Sequence, residues 1–409
     1  MKKNVLWNTI GTVFYFFCQW ILTVVVVRMM NDYNMTGYFQ LAMTMSSSYS
    51  TIALFNMRSF QASDVILEFK DGTYKGSRLL TTFVAVVCCF VAAIISKNSL
   101  YQIECIMAFM GIRVVEALVD VFHGMDQRYE RYDLIGISFI IRGFLTIVLF
   151  VGGVYFTQNL LISLLLVFVS NALVVWLFDN NKLKKISDSF ALDISKTTLV
   201  LLKKCAPFVL ITYLLSQENL LPKQFLQNTF GADQQGIYST IAAPALIVQV
   251  CAAVVFSPFL PVFSSVYQEK NMKAFQKMLN KLYLAIVVGS ILVTIGAMLL
   301  GRWGLSLLYG TEILDHYYLF LPVVWVTILT AVAWIFVAIL TAMRKVVVLL
   351  TGMIIDFLVC IALINPIVTH YEKNGVSIVQ IIALAIYIIY MIAACEIYTF
   401  KYRDESVVK

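Results

Sequence analysis

Long apolar runs are the feature that most restricts what this chain can fold into. There are about twelve, each of roughly 18–25 residues, and an α-helix needs about 20 residues to cross a bilayer. Backbone amides in lipid must be satisfied internally, so only helices or a closed barrel can span the membrane. A barrel would show short alternating strands, whereas these runs are continuous. The sequence therefore predicts an all-α integral membrane protein with about twelve transmembrane helices.

The predicted spans are numbered 1 to 12 in chain order. They cover approximately residues 5–27, 38–57, 79–96, 101–122, 134–155, 159–178, 205–227, 237–263, 282–304, 317–341, 346–368 and 376–400. An even number of spans places both termini on one side of the membrane. Most of the 30 lysines and arginines fall in loops on that side, and cytoplasmic loops are the basic ones. Both termini are therefore predicted to be cytoplasmic.

The longest inner connection divides the spans into two sets of six. It is rich in Lys, Asp and Ser. We expect an N-terminal lobe over residues 1–180, a cytoplasmic linker over 181–204 and a C-terminal lobe over 205–409. Weak similarity between the halves fits two parallel repeats, which in transporters flank a central cavity. Because tight turns use glycine in any case, chance explains this similarity equally well.

Composition and motifs exclude several classes of function. The net charge of +7 does not indicate nucleic-acid binding, because the basic residues lie in short loops between apolar runs. The eight cysteines lie almost entirely inside apolar segments and lack the spacing of metal ligands. The chain contains no nucleotide-binding phosphate loop, and no segment outside the spans is long enough for a catalytic domain. We therefore predict a transporter without a cofactor or a metal, and not an enzyme.

Charged residues within the spans are the strongest candidates for a site, because ionisable groups in hydrocarbon usually face a cavity or a partner. Arg113, Glu116 and Asp120 of span 4 fall within about 60° of one another on a helix. Arg142 of span 5 is expected at about the depth of Arg113.

Two interpretations of these charges remain open. In the first, the two arginines form a hydrated cationic site, because the planar guanidinium binds phosphate through paired donors and keeps its charge when desolvated. In the second, Glu116 and an arginine form a buried ion pair that fastens spans 4 and 5 together, and Asp120 takes the second arginine.

Further charged residues are weaker candidates. Arg58, at the inner end of span 2, either joins the substrate site or extends to the interface. Glu218 and Lys223 interrupt span 7, and Asp356 lies in the middle of span 11. These three are predicted to act in gating or in coupling, with a structural role as the alternative.

Three sequence motifs resemble those of bacterial polysaccharide flippases of the Wzx type, in the multidrug/oligosaccharidyl-lipid/polysaccharide exporter superfamily. The first runs from Met57 to Asp64 and continues to Tyr74 and Arg78. The second runs from Arg113 to Gly143 and includes Gln127, Arg131 and Asp133. The third joins Pro222-Lys223 to Phe230-Gly231 and Gly236-Ile237-Tyr238. Together with the predicted spans, the resemblance extends over essentially the whole chain.

The resemblance implies a function and a set of functional residues. It implies a bacterial inner-membrane flippase that turns an undecaprenyl-pyrophosphate-linked oligosaccharide to the outer leaflet by alternating access, for O-antigen, capsule or exopolysaccharide. Membrane lipids, a polysaccharide polymerase and glycosyltransferases are the expected partners, and coupling to an H⁺ or Na⁺ gradient is common among relatives. The positions that match by motif are Arg58, Asp64, Arg78, Arg113, Glu116, Asp120, Gln127, Arg131, Asp133 and Arg142.

Two other functions are weighed against the flippase. A cation-coupled multidrug antiporter of the same superfamily would favour acidic residues over arginines in its cavity. A membrane-embedded polysaccharide polymerase would need a sizeable outer loop, and the outer loops here are short.

Overall fold

The computed structural model describes residues 2–63, 68–183, 192–256 and 259–407. These residues are helical almost throughout and include no strand. The first part of the chain forms α1 (Lys2–Met30), α2 (Tyr33–Leu54), α3 (Met57–Ser63), α4 (Asp71–Ile95), α5 (Leu100–Arg128), α6 (Tyr132–Thr157), α7 (Leu160–Val174) and α8 (Asn180–Leu183). One π-helical turn, Val175–Asp179, joins α7 to α8.

The second part continues with longer and more interrupted helices. It forms α9 (Lys196–Phe230), α10 (Ala232–Ala242), α11 (Leu246–Phe256), α12 (Leu260–Gln268), α13 (Met272–Tyr309), a 3₁₀ segment (Glu312–Leu319), α14 (Phe320–Ala342) and α15 (Val346–Val407). Helical geometry breaks within α15 at Glu372, where φ is 49° and ψ is −127°. Predicted span 8 is divided among α10, α11 and α12, and Pro244 lies in the first of the two interruptions.

Eight helices among the described residues are long and apolar enough to cross a membrane, so the chain is a multi-pass membrane protein. They are Trp7–Met30, Asp71–Ile95, Tyr132–Thr157, Leu160–Lys182, Lys196–Phe230, Met272–Tyr309, Glu312–Ala342 and Val346–Phe400. Predicted spans 2 and 4 coincide with α2 and α5, which are more polar, and predicted spans 11 and 12 both fall within α15. The count of twelve and the cytoplasmic termini remain predictions.

The chain divides into two compact units. The first contains Met1–Ser216 and Gly231–Gly236, and the second contains Gln217–Phe230 and Ile237–Lys409. In the first unit, Leu201 and Cys205 belong to a buried cluster with Met57, Tyr74 and Met125. The start of α9 is therefore part of the core of the first unit. The predicted lobe and linker boundaries at 180 and 204 remain predictions.

Helices α1 and α6 of the first unit approach each other at two glycines. A Cβ added to Gly11 would lie 2.3 Å from the carbonyl oxygen of Gly136, and one added to Gly136 would lie 2.2 Å from that of Trp7. Only glycine permits so close an approach of two helix backbones. The contact places the following turns of α1 and α6 side by side, and those turns carry Tyr15 and Arg142.

Candidate functional site in the first unit

Helix α5 carries the centre of the candidate site because it packs against α2, α3, α4, α6 and α7. Its residues Arg113, Glu116 and Asp120 follow the spacing that puts side chains on one face of a helix. The structure divides these three charges between two networks. One surrounds Glu116, and the other surrounds Asp120 one turn further along.

Glu116 accepts three hydrogen bonds from side chains of two helices. Tyr15 Oη of α1 donates at 2.5 Å, and Gln19 Nε2, one turn further along α1, donates at 2.6 Å. Arg113 Nη1 donates at 2.5 Å from within α5. The i, i+3 spacing makes the Arg113–Glu116 pair local. The two donors from α1 fix the position of the carboxylate.

Arg113 also extends toward α2. Its Nη2 donates to Ser47 Oγ at 2.9 Å, and its Nη1 lies 3.3 Å from Gln19 Oε1. The Arg113 side chain is 15% exposed and that of Glu116 is 20% exposed. This part of the network is therefore partly buried and less enclosed than Arg142.

Arg142 of α6 lies next to this network but is fully buried. Its guanidinium carbon is 4.9 Å from the ring centre of Tyr15 and 5.1 Å from that of Phe139. None of its three guanidinium nitrogens has a hydrogen-bond partner among the described residues. The aromatic rings stabilise the positive charge, while the hydrogen-bond donors of the guanidinium are unused.

Glu116 interacts electrostatically with Arg142, and both residues contact Tyr15. The cluster therefore holds two guanidinium groups and one carboxylate. Its formal charge is +1, which suits an anionic ligand. The prediction that Arg113 and Arg142 bind substrate remains a prediction.

Asp120 belongs to the second network and does not pair with Arg142. It accepts from Arg78 Nη2 of α4 at 2.8 Å and from Arg58 Nη1 of α3 at 3.4 Å. The Arg78 side chain is 1% exposed, and its Nη1 donates to the carbonyl oxygen of Ala53 at 2.8 Å. Arg58 is 32% exposed. This network ties α3, α4 and the end of α2 to α5.

Three of the remaining motif residues of the first unit, Gln127, Arg131 and Asp133, lie at or beside the turn between α5 and α6. Arg131 and Asp133 form a bidentate pair at 2.9 and 3.0 Å across the turn between α5 and α6. Gln127 is half-buried in the last turn of α5. Asp64 lies outside the described residues. The ion pair between Arg128 and Asp71, at 2.9 Å, joins α5 to the start of α4.

The second unit contains the residues predicted to act in gating or coupling. Asp356 is 1% exposed and Glu218 is 2% exposed. Both carboxylate oxygens of Asp356 lack a hydrogen-bond partner among the described residues, and so does Oε1 of Glu218. The two carboxyl groups interact electrostatically. Lys223 donates to Asn219 Oδ1 at 2.8 Å.

Sequence reasoning missed the uncharged members of the site. Tyr15, Gln19, Ser47 and Phe139 position both arginines, yet none of them interrupts an apolar run as a charge does. The glycines that bring α1 against α6 are the signal from which the pairing of Tyr15 with Arg142 can be inferred. The pairing of Arg78 with Asp120 joins helices that are distant in sequence, so helix periodicity does not reveal it.

The chain is similar to known proteins in both sequence and fold. No family model matches the chain. A capsular polysaccharide biosynthesis protein, CapF, of Staphylococcus aureus is 24% identical over 330 residues, which cover 76% of this chain and 78% of that protein.

Two solved structures extend the comparison to the fold. The lipid II flippase MurJ in an inward closed conformation gives a TM-score of 0.73 at 12% identity, over 98% of this chain and 90% of MurJ. An inward-facing multidrug resistance transporter of the MATE family gives 0.67 at 13% identity, over 98% of this chain and 99% of that one. The chain therefore has the fold of membrane transporters of the MOP superfamily.

Proposed function

We propose that the chain is a flippase for an undecaprenyl-pyrophosphate-linked oligosaccharide in the synthesis of a surface polysaccharide. It would move the headgroup from the cytoplasmic to the outer leaflet of the bacterial inner membrane by alternating access, with the polyprenyl tail remaining in lipid. The observation that carries the proposal is the excess of guanidinium groups over carboxylates around Glu116. The similarity to a capsular polysaccharide biosynthesis protein and the MurJ-like fold support the same class of substrate.

The chemistry of the cluster fits a pyrophosphate. Arg113 is partly exposed, and the planar fork of Arg142 has donors that no described residue accepts. A pyrophosphate carries several anionic oxygens that accept charge-assisted hydrogen bonds from such groups. Arg113 would be the first contact, because its side chain is 15% exposed whereas Arg142 is fully buried.

Arg142 requires a change of conformation before it can bind. In this structure Tyr15 covers its guanidinium. The headgroup would take the place of the Tyr15 ring, and Arg142 would exchange a cation–π contact for hydrogen bonds to phosphate. A group hidden in one state and used in another is expected of a transporter that alternates between conformations.

Deleting the gene should abolish the surface polysaccharide and should leave the lipid-linked oligosaccharide on the cytoplasmic face. Expression of the intact chain should restore the polysaccharide, measured by immunoblotting of cell-surface material. In a drug-sensitive strain the chain should not raise resistance to cationic dyes. Raised resistance without restored polysaccharide would instead support the multidrug antiporter.

The proposal includes coupling to an ion gradient through Asp356 and Glu218. No cationic side chain of the described residues donates a hydrogen bond to Asp356 or to Oε1 of Glu218, although Lys223 interacts electrostatically with Glu218. Buried carboxyl groups are costly when charged, so these two are suited to hold a proton or a sodium ion in part of the cycle. We expect a proton or sodium gradient to accelerate transport by the wild-type protein in vesicles. Asp356→Asn should transport at the rate seen without a gradient.

The matched control for this substitution is Asp315→Asn, which changes an exposed aspartate of the same unit. This control should keep the full acceleration by the gradient. If Asp356→Asn also keeps it, Asp356 is not the coupling residue.

A further inference from the structure

A cavity of about 310 Å³ lies in the first unit, apart from the Glu116 network. It is formed by α4, α5 and the end of α7. Its walls are mostly apolar and include Leu79 of α4, Leu118 of α5 and Trp176 of the π-helical turn. Such a turn widens a helix locally and often marks a functional position.

The cavity opens toward lipid. Leu79 is 39% exposed and Trp176 is 64% exposed, and both lie in segments that are long and apolar enough to span the membrane. Exposed apolar side chains on such segments face acyl chains. The opening is therefore a lateral groove in the surface that contacts the membrane.

The groove has the depth of one leaflet. The start of α4 and the end of α5 are on the predicted cytoplasmic side. Lys75 lies four residues after the start of α4, and Val115 lies thirteen residues before the end of α5. At 1.5 Å per residue, the lining extends from about 6 Å to about 20 Å below those ends. Half of the hydrocarbon core is about 15 Å thick, so an acyl chain of the cytoplasmic leaflet fits this range.

The charged residues that line the groove in the described part of the chain are basic. Lys75 and Arg78 line it, and no acidic side chain is among its lining residues in the described part of the chain. Arg78 and Arg58 both donate to the carboxylate of Asp120, so two guanidinium groups share this carboxylate. Basic pockets at the cytoplasmic side of transmembrane helices attract anionic headgroups.

We infer that this groove binds an anionic phospholipid of the cytoplasmic leaflet, with one acyl chain between α4, α5 and α7 and the phosphate beside Lys75. The bound lipid contacts Arg78, which holds Asp120 and the carbonyl oxygen of Ala53. The lipid therefore supports the network that joins α2, α3 and α4 to α5. The inference is independent of the substrate that the protein transports.

Native mass spectrometry of the purified full-length protein tests the inference. The protein is released from micelles that contain equal amounts of phosphatidylglycerol and phosphatidylethanolamine. We expect the wild-type protein to retain phosphatidylglycerol with about fivefold preference, which corresponds to one lysine near an anionic headgroup. Lys75→Gln should remove most of the preference, whereas Lys97→Gln, beyond the opposite end of α4, should keep it.

A second pair of variants tests the position of the acyl chain. Leu118→Trp fills the groove and should lower the retention of phosphatidylglycerol severalfold. Val84→Trp, an exposed α4 position outside the groove, should not. The inference is wrong if the wild-type protein shows no preference, if either test variant matches its control, or if undecaprenyl phosphate displaces phosphatidylglycerol when both are supplied.

Discussion

Replacing Arg142 by methionine should abolish export of the surface polysaccharide while the protein remains folded and abundant. Methionine keeps much of the volume of the side chain but removes the charge and all hydrogen-bond donors. Loss of two charge-assisted hydrogen bonds to phosphate costs about 3 kcal/mol or more, which is about a 100-fold loss of affinity or rate. Export is measured by immunoblotting, and abundance by blotting the membrane fraction.

The stability of this variant separates a binding role from a structural one. Arg142 is fully buried without a hydrogen-bond partner among the described residues, so its removal relieves the cost of a desolvated cation. It also removes a cation–π interaction of about 1–2 kcal/mol. Because these effects oppose each other, the apparent Tm in detergent should change by only a few degrees.

Two further substitutions complete the test. Arg142→Lys keeps the charge but loses the fork, so we expect export between that of the wild type and that of Arg142→Met. Arg302→Met removes an exposed arginine of α13 and should export normally. A large fall in Tm for Arg142→Met, with export in proportion to the remaining protein, would show that Arg142 only fastens helices together.

Replacing Asp120 by asparagine should destabilise the first unit strongly. Arg78 is 1% exposed and would lose its only carboxylate partner in the described residues. Removing one partner of a buried ion pair lowers the stability of the folded protein by about 3–5 kcal/mol. The change should appear as a lower apparent Tm and a lower yield of monodisperse protein. Arg58 is partly exposed and can turn toward water.

Two comparisons show whether the effect comes from the unpaired arginine. Asp133→Asn breaks the exposed pair with Arg131, which is worth at most about 1 kcal/mol. The double variant Asp120→Asn/Arg78→Met removes both charges and should recover much of the lost stability. Equal destabilisation by Asp120→Asn and Asp133→Asn, or no recovery in the double variant, would contradict this assignment.

The sequence was most informative where a single helix determines the geometry. The contact between Arg113 and Glu116 follows from their spacing on α5. The proximity of Arg142 to this pair follows from counting along α5 and α6 away from their common turn. Apolar runs likewise predicted helices that span the membrane, since the length of each run is set by bilayer thickness.

Contacts between distant helices were not predictable in this way. The contact of Arg142 with the Tyr15 ring depends on the close approach of α1 and α6 at Gly11 and Gly136. The partners of Asp120 come from α3 and α4. The sequence-based alternative that Asp120 takes the second arginine of the site is therefore not what the structure shows. Periodicity within one helix carries no information about which neighbour it packs against.

A structure of the protein with an undecaprenyl-pyrophosphate-linked oligosaccharide bound would test the central claim most directly. We predict the pyrophosphate oxygens at about 2.7–3.2 Å from the guanidinium nitrogens of Arg113 and Arg142, with the Tyr15 ring displaced from Arg142. A pyrophosphate bound elsewhere, with Arg142 still covered by Tyr15 and Phe139, would contradict the account.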